Sequence, residues 1–390
     1  MKRLALILLS MSIVCVGVVA AIESPVDSAP QLRGRHAVGM THFQAADDFE
    51  SIPAEELWRF TAGATDGRYV SDILAHPDAV EQVKVTFPGD RNIYPTVANQ
   101  SLDVFYYVTY PTTEENDRDD YWFPGGDQHA ELERMEQPGD EPIIDSSEGK
   151  CPLIVFAHGW ATMATSDIWR SKMFASHGYI VVNAFFGDQR VSGYGGNLEH
   201  PAMRLFMLKA VLDDVLDSEK FGGHIHEDQI GVSGGSFGGS TVMACLGGRI
   251  ANRRDIETEP RIKAGVATVP WFGAFDARYL GLRGVDRPFM QIYGSADGLA
   301  QAGIRCMNYL RRSDRFLIEM VGQGHAFEAD FYVDAFNWEL NFFNAYLRGD
   351  EEAFQVLKST RSFKGYGDDV QQFKHQRTGL VDRKRLVDRK

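Results

Sequence analysis

The stretch that most constrains the fold of this chain runs from residue 230 to residue 240 and reads Ile-Gly-Val-Ser-Gly-Gly-Ser-Phe-Gly-Gly-Ser. It contains the pattern Gly-x-Ser-x-Gly, with Ser236 between Gly234 and Gly238. An apolar run precedes the pattern and small residues follow it, which predicts a strand, a sharp turn and a helix. Because a side chain on either glycine would obstruct such a turn, the pattern predicts Ser236 as an exposed nucleophile, with an ordinary glycine-rich loop as the alternative.

Apolar runs and helical periodicities alternate on both sides of this stretch. Buried strands are predicted at residues 153–157, 179–186, 229–232, 262–269, 288–293 and 316–321. Helices are predicted at residues 166–177, 201–216, 300–311 and 331–347. Such alternation predicts an α/β protein with a mainly parallel central sheet and helices on both faces.

Composition shifts divide the 390 residues into several parts. A basic start, an apolar run and small residues near Ala20 predict a secretory signal peptide, and a membrane anchor is the alternative. No later segment approaches about 18 uninterrupted apolar residues, so no stable membrane span is expected after cleavage. The expected parts are a signal peptide (1–21), an N-terminal arm (22–80), a core domain (81–350) containing an acidic insertion (111–150), and a polar C-terminal tail (351–390).

Net charge and cysteine content restrict the partners and the covalent cross-links. The formal net charge of -14 argues against nucleic acid as a partner and suits a protein secreted to the periplasm or the extracellular medium. Cleavage of the signal peptide leaves Cys151, Cys245 and Cys306, an odd number that cannot all pair within one chain. The sequence allows two arrangements: one disulfide between Cys245 and Cys306, or three buried free thiols.

A serine nucleophile needs a base, and the base needs an acid that orients it. Asp297 follows the predicted strand 288–293, and His325 follows the predicted strand 316–321. Because the carboxyl ends of parallel strands share one sheet edge, Ser236, Asp297 and His325 are expected to meet there. Other acids compete for the role of Asp297, but none of them has its position directly after a strand: Asp276, Asp286 and Asp330.

Two backbone N–H groups are expected to form the oxyanion hole. Phe237 follows the nucleophile at the start of a helix, and Trp160 ends the segment His158-Gly159-Trp160 after an early strand. His158 is expected to hold this loop by a hydrogen bond. The histidines of residues 224–228 lack a visible third ligand, so this segment is expected to be a surface loop, and no metal or other cofactor is predicted.

In this order, His-Gly-Trp, Gly-Gly-Ser-Phe-Gly-Gly, Gly-Ser-Ala-Asp and Gly-Gln-Gly-His resemble the α/β-hydrolase superfamily over about residues 83–347. The resemblance is strongest to dienelactone-hydrolase-like esterases and to cutinase-like or platelet-activating-factor-acetylhydrolase-like esterases. It implies an α/β-hydrolase fold, a triad of Ser236, Asp297 and His325, and oxyanion donors at Trp160 and Phe237. Ser236 replaces the cysteine of true dienelactone hydrolases, so their substrate is not implied.

The expected function is that of a secreted serine carboxylic-ester hydrolase that acts through an acyl-enzyme on a small-molecule, lipid or polyester substrate. Val269-Pro270-Trp271 is similar to the aromatic wall of polyester-cleaving cutinases, which suggests a pocket lined by Trp271, Phe272 and Tyr194, although packing is the alternative. A prolyl-oligopeptidase-type peptidase is another possibility, but the chain before the core is too short for a propeller. A secreted binding protein without turnover is a third.

Overall fold

The computed structural model describes residues 32–42, 81–94, 97–125, 128–137, 139–160, 162, 164–186, 201–250, 256–275, 280–360 and 371–377. The predicted signal peptide, most of the predicted N-terminal arm, Asp276 and Tyr194 lie outside these residues.

Twelve strands are present in the described residues: β1 (Ala37–Met40), β2 (Gln82–Thr86), β3 (Ser101–Thr112), β4 (Tyr121–Gly125), β5 (Gln128–Leu132), β6 (Cys151–Ala157), β7 (Ile180–Ala184), β8 (Ile225–Gly235), β9 (Ile262–Thr268), β10 (Phe289–Gly294), β11 (Arg315–Met320) and β12 (Gln371–Arg377). Ten of them form one mixed sheet in the order β1-β3-β7-β6-β8-β9-β10-β11-β12, with β2 also paired to β3. The six neighbouring strands from β7 to β11 are parallel, and β1, β2, β3 and β12 pair antiparallel. Strands β4 and β5 form a separate hairpin.

Helices pack against both faces of the sheet. They are α1 (Ile168–Ser176), α2 (Pro201–Asp217), α3 (Phe237–Cys245), α4 (Ala300–Met307), α5 (Ala329–Leu347) and α6 (Glu351–Ser359). In β6, Leu153 and Val155 pack into a core with α2, α3 and α4, whereas Ile154 and Phe156 pack into a second core with α1, α5 and α6. The period-two alternation of a strand therefore buries both of its faces. The predicted α/β class with a mainly parallel sheet is confirmed.

Two local predictions need correction. Strand β8 begins at Ile225, so residues 226–228 belong to the sheet and the predicted surface loop is wrong there. Their side chains alternate along an extended backbone that pairs with Cys151 at its start. Helix α1 begins at Ile168 after a 3-10 turn at Ala164–Asp167, whereas the sequence predicted a start near Ser166.

The sheet extends beyond the boundaries that the sequence indicated. Strand β1, from the predicted arm, pairs antiparallel with β3, and its four residues are all buried. The predicted acidic insertion contains the end of β3 and the β4–β5 hairpin, and the predicted polar tail contributes α6 and β12. Such short peripheral elements depend on long-range pairing, which local sequence patterns register weakly.

All three core cysteines are free and buried. Cys151 is the first residue of β6, Cys245 is the last residue of α3, and Cys306 lies in α4. Burial raises the pKa of Cys151 to about 11 and that of Cys245 to about 12, so these thiols remain protonated near neutral pH. In the described part of the chain, no helix combines the length and the apolar character that crossing a membrane requires.

Candidate active site

Ser236 lies at the junction of β8 and α3 in a strained backbone conformation. Its φ of 51° and ψ of -114° lie outside the regions that L-residues usually occupy. Hydrogen bonds on both sides of the residue stabilise this strained conformation. The Ser236 N–H donates to the carbonyl oxygen of Thr268 at 2.9 Å, and the Gly239 N–H donates to the carbonyl oxygen of Ser236 at 3.0 Å. The turn therefore presents the Ser236 side chain at the carboxyl end of β8.

The two glycines of the pattern are required by crowding against the end of β6. A Cβ atom on Gly238 would lie 1.9 Å from the carbonyl oxygen of Ala157, and one on Gly234 would lie 2.8 Å from the same oxygen. Neither position has room for a side chain. By contrast, a Cβ on Gly235 would meet only the carbonyl oxygen of Thr268, at 3.9 Å.

A second strained turn supports the first one. Val269 has a φ of 43°, which is rare for a β-branched residue, and its N–H donates to the carbonyl oxygen of Ile292 at 2.7 Å. This turn allows the Trp271 N–H to donate to the carbonyl oxygen of Ser236 at 2.8 Å. The sequence gives no signal for this role of Val269, because the strand propensity of valine argues against such a backbone there.

Ser236, His325 and Asp297 form one chain of hydrogen bonds. His325 Nε2 lies 2.9 Å from Ser236 Oγ, and His325 Nδ1 lies 2.9 Å from Asp297 Oδ2. Because an ionised carboxylate only accepts hydrogen bonds, Nδ1 carries the proton and Nε2 can accept the serine proton. The Asp297 side chain is 3% exposed and that of His325 is 45% exposed, so the acid is shielded while the base faces solvent.

Backbone hydrogen bonds fix the loops that carry the acid and the base. The Ala296 N–H donates to the carbonyl oxygen of Gln323 at 2.8 Å, and the Gly322 N–H donates to Ser295 Oγ at 2.8 Å. Asp297 Oδ1 accepts the Leu299 N–H at 2.9 Å, which orients the carboxylate. The sheet thus brings together the three side chains that the sequence analysis selected.

The loop after β6 approaches Ser236 closely. A Cβ on Gly159 would lie 3.5 Å from Ser236 Cβ. Among the described residues, no acceptor is present for the N–H of Trp160 or of Phe237. Phe237 is the first residue of α3, where the helix dipole adds positive potential. These two groups suit an oxyanion that develops next to Ser236.

His158 anchors this loop instead of facing the site. Its ring is buried, its Nδ1 lies 2.9 Å from the carbonyl oxygen of Gly159, and its Nε2 accepts the Phe186 N–H at 3.3 Å. Because Nε2 accepts, Nδ1 is the donor. His325 is therefore the histidine that contacts Ser236.

Three aromatic rings cluster at the start of α3, next to Ser236 in the chain. The Phe237 ring stacks on Trp271 with centroids 5.1 Å apart, and Trp160 meets Phe237 edge to face at 5.7 Å. Trp160 is 51% exposed, which is unusual for an indole and leaves it free to contact a ligand.

Phe272 does not belong to this cluster. It is 2% exposed and packs against Phe275 and Phe289 at centroid distances of 6.2 and 6.4 Å. Since Phe272 points into the core, its predicted role in a pocket wall is corrected to packing.

The sequence patterns did not single out Glu339, which lies next to the carboxyl ends of β8 and β9. It is fully buried on α5, accepts hydrogen bonds from Ser233 Oγ and Thr268 Oγ1 at 3.2 Å each, and lies 3.4 Å from Arg170 Nη1. Burial raises the pKa of Glu339, and the Arg170 charge opposes that change. The signal in the sequence was a carboxylate on the apolar face of the helix that contains Phe336 and Phe343.

Arg204 on α2 was also overlooked. Its spacing from Leu208, Val211 and Val215 places a cation in line with the apolar residues of the helix, and the side chain is buried. A charge at such a position signals buried hydrogen-bond acceptors nearby.

Comparison with known proteins adds no assignment: no protein-family model matches the chain, and no curated protein is significantly similar to it. Within the described ranges, His, Cys, Asp and Glu side chains form no group of three that could hold a metal ion.

Proposed function

We propose that this protein is a serine carboxylic-ester hydrolase with the α/β-hydrolase fold. The observation that carries the proposal is the chain of two 2.9 Å contacts that joins Asp297, His325 and Ser236. The strained backbone of Ser236 and the two available N–H groups beside it support the same chemistry.

The first half of the reaction acylates the enzyme. Ser236 Oγ attacks the ester carbonyl carbon while His325 Nε2 takes the hydroxyl proton, and the carbonyl π electrons move to the oxygen. The N–H groups of Trp160 and Phe237 stabilise the resulting oxyanion. When the carbonyl re-forms, the bond to the alkoxy group breaks, and the imidazolium gives its proton to the departing alcohol.

The second half returns the enzyme to its starting state. Water loses a proton to His325 Nε2 and attacks the acyl carbon, and the same two N–H groups stabilise the new oxyanion. The bond to Ser236 Oγ then breaks as His325 returns a proton to that oxygen, and the carboxylic acid leaves. Asp297 keeps the imidazole in the required tautomer in both halves and stabilises the imidazolium.

We also propose that the protein is exported, because residues 1–21 have the composition of a signal peptide. The exposed ring of Trp160 favours a substrate with an apolar group next to the ester. A small-molecule, lipid or polyester substrate would meet this requirement.

Hydrolysis of nitrophenyl esters of increasing acyl length tests the proposal, with peptide anilides of matched leaving-group size measured in parallel. We expect ester turnover that is lost in Ser236→Ala. Comparable efficiency on the anilides would indicate a peptidase, and absence of turnover on both series would indicate a binding protein.

A further inference from the structure

Arg204 reaches from α2 to the loop that carries one of the two proposed oxyanion donors. Its side chain is 1% exposed. Nη2 donates to the carbonyl oxygen of Gly159 at 3.0 Å, and Nη1 donates to the carbonyl oxygen of His158. The guanidinium thus donates to the carbonyl groups of two consecutive peptide units. The planar arginine head group suits this geometry because its several N–H donors point in fixed directions.

The contact with Gly159 determines the direction of the Trp160 N–H. The Gly159 carbonyl and the Trp160 N–H belong to the same peptide unit, whose planarity makes them point in opposite directions. The Gly159 oxygen accepts hydrogen bonds from both Arg204 and the His158 ring, so that side of the peptide is fixed. A cation on the carbonyl oxygen also polarises the peptide, which makes its N–H a stronger donor.

The same guanidinium contacts the residue that supplies the other donor. Arg204 Cζ lies 4.7 Å from the ring centroid of Phe237 and 5.3 Å from that of Phe186. Cation–π contacts at these distances are favourable, and more so away from water. One buried side chain therefore links the loop of Trp160 to the residue after the nucleophile.

We propose that Arg204 is a positioning residue that sets the geometry of the oxyanion hole. Arg204 stabilises the transition state through the Trp160 N–H without touching the substrate. This inference rests on the proposed ester hydrolysis. The arrangement explains why a charge is buried on an apolar helix face, since its desolvation is offset by two carbonyl groups and two aromatic rings.

The test compares Arg204→Lys and Arg204→Gln with Arg315→Lys. Arg315 is a matched control because it is buried and donates to the carbonyl oxygens of Met307 and Leu310. Arg315 is the first residue of β11, so it lies at the amino end of the strand, whereas the triad lies at the carboxyl ends. For each variant, the concentration of active sites is determined by titration with a fluorophosphonate, which reacts only with folded enzyme. The kcat and KM on a nitrophenyl ester are then calculated from this concentration. The Ki of a trifluoromethyl ketone, whose serine adduct carries an oxyanion, is measured as well.

We expect both Arg204 variants to lose about 10- to 100-fold in kcat, with KM changed less than about threefold. The Ki of the ketone should rise by the same factor as kcat/KM falls, because both report on the oxyanion. Arg315→Lys should lower the melting temperature without these kinetic changes.

Two results would overturn the inference while leaving the proposed function intact. One is an Arg204→Lys enzyme with the kcat and Ki of the wild type. The other is an equal loss in the Arg204 and Arg315 variants that follows their melting temperatures. A wild-type protein without ester turnover would instead overturn both proposals.

Discussion

The backbone N–H of Trp271 donates to the carbonyl oxygen of Ser236 at 2.8 Å, and this contact joins two strained turns. Val269, two residues before Trp271, and Ser236 both have positive φ values. Each turn occupies a conformation that costs on the order of 1–3 kcal/mol by itself. The hydrogen bond between them offsets part of that cost, so Ser236 is held by the loops after β8 and β9 together.

Gly238→Ala should disrupt the turn between β8 and α3, because the added Cβ would lie 1.9 Å from the carbonyl oxygen of Ala157. We expect a loss of roughly 3 kcal/mol or more in the free energy of unfolding, or failure to fold. Gly235→Ala is the matched control: its Cβ has space, and the loss should stay within about 1 kcal/mol. Urea denaturation measures both, and equal losses would contradict the crowding explanation.

Asparagine at Asp297 should lower kcat by about 10³- to 10⁴-fold with little change in KM, because an amide no longer holds the required histidine tautomer. The amide oxygen can still accept the Leu299 N–H, so folding should be preserved. Asp286→Asn is the control, since the Asp286 side chain is 47% exposed and, among the described residues, contacts Arg312 at 3.6 Å and Arg287 at 3.8 Å. Steady-state kinetics measures both variants, and a full loss of activity in Asp286→Asn would mean that the wrong acid had been chosen.

The parallel core and the grouping of Ser236, Asp297 and His325 at one sheet edge could be predicted from sequence because both depend on local patterns. A run such as residues 153–157 is typical of a strand buried on both faces, and residues that follow parallel strands lie at one edge of the sheet. For this reason the sequence alone predicts that Asp297 and His325 lie next to Ser236.

The remaining features depend on contacts between distant parts of the chain. Arg204 and Glu339 have charged side chains that composition alone assigns to the surface, and only the acceptors and donors around them explain their burial. Strand β12 is mostly polar, and only its pairing with β11 makes it a strand. The positive φ of Val269 opposes the preference of its side chain.

Glu136 should make stability depend on pH. Burial raises its pKa from 4.5 to about 7, against the lowering effect of a hydrogen bond from Tyr110 at 2.5 Å. Between these two values the folded protein retains a proton that the unfolded chain has lost. The free energy of unfolding therefore falls as pH rises through this window, by up to about 3 kcal/mol.

Glu136→Gln should remove that dependence, because an amide keeps the hydrogen bond and does not titrate. Urea denaturation at several pH values measures the difference between wild type and variant, which should grow from about pH 4.5 to about pH 7. Glu114→Gln, at a side chain that is 83% exposed, should leave the pH dependence unchanged. A constant difference between wild type and Glu136→Gln would show that Glu136 does not titrate in this range.

Glu339→Leu alone should destabilise the protein by about 3 kcal/mol, because buried Arg170 would lose its contact at 3.4 Å and keep the longer one with Asp167 at 3.8 Å. The double variant Arg170→Met, Glu339→Leu should lose less than the sum of the two single variants, with a coupling energy of about 2 kcal/mol. Denaturant titration of the four proteins gives this value. Simple additivity would mean that the two side chains do not interact across their 3.4 Å contact.

We propose that Ser236 is a nucleophile activated by His325 and Asp297. The most direct measurement is the intact mass of the purified protein after treatment with a fluorophosphonate, followed by peptide mapping, with Ser236→Ala treated in parallel. We predict one stoichiometric adduct on Ser236, about 10³-fold slower labelling in His325→Ala, and none in Ser236→Ala. A folded wild-type protein that stays unlabelled, or an adduct on another residue, would contradict the claim.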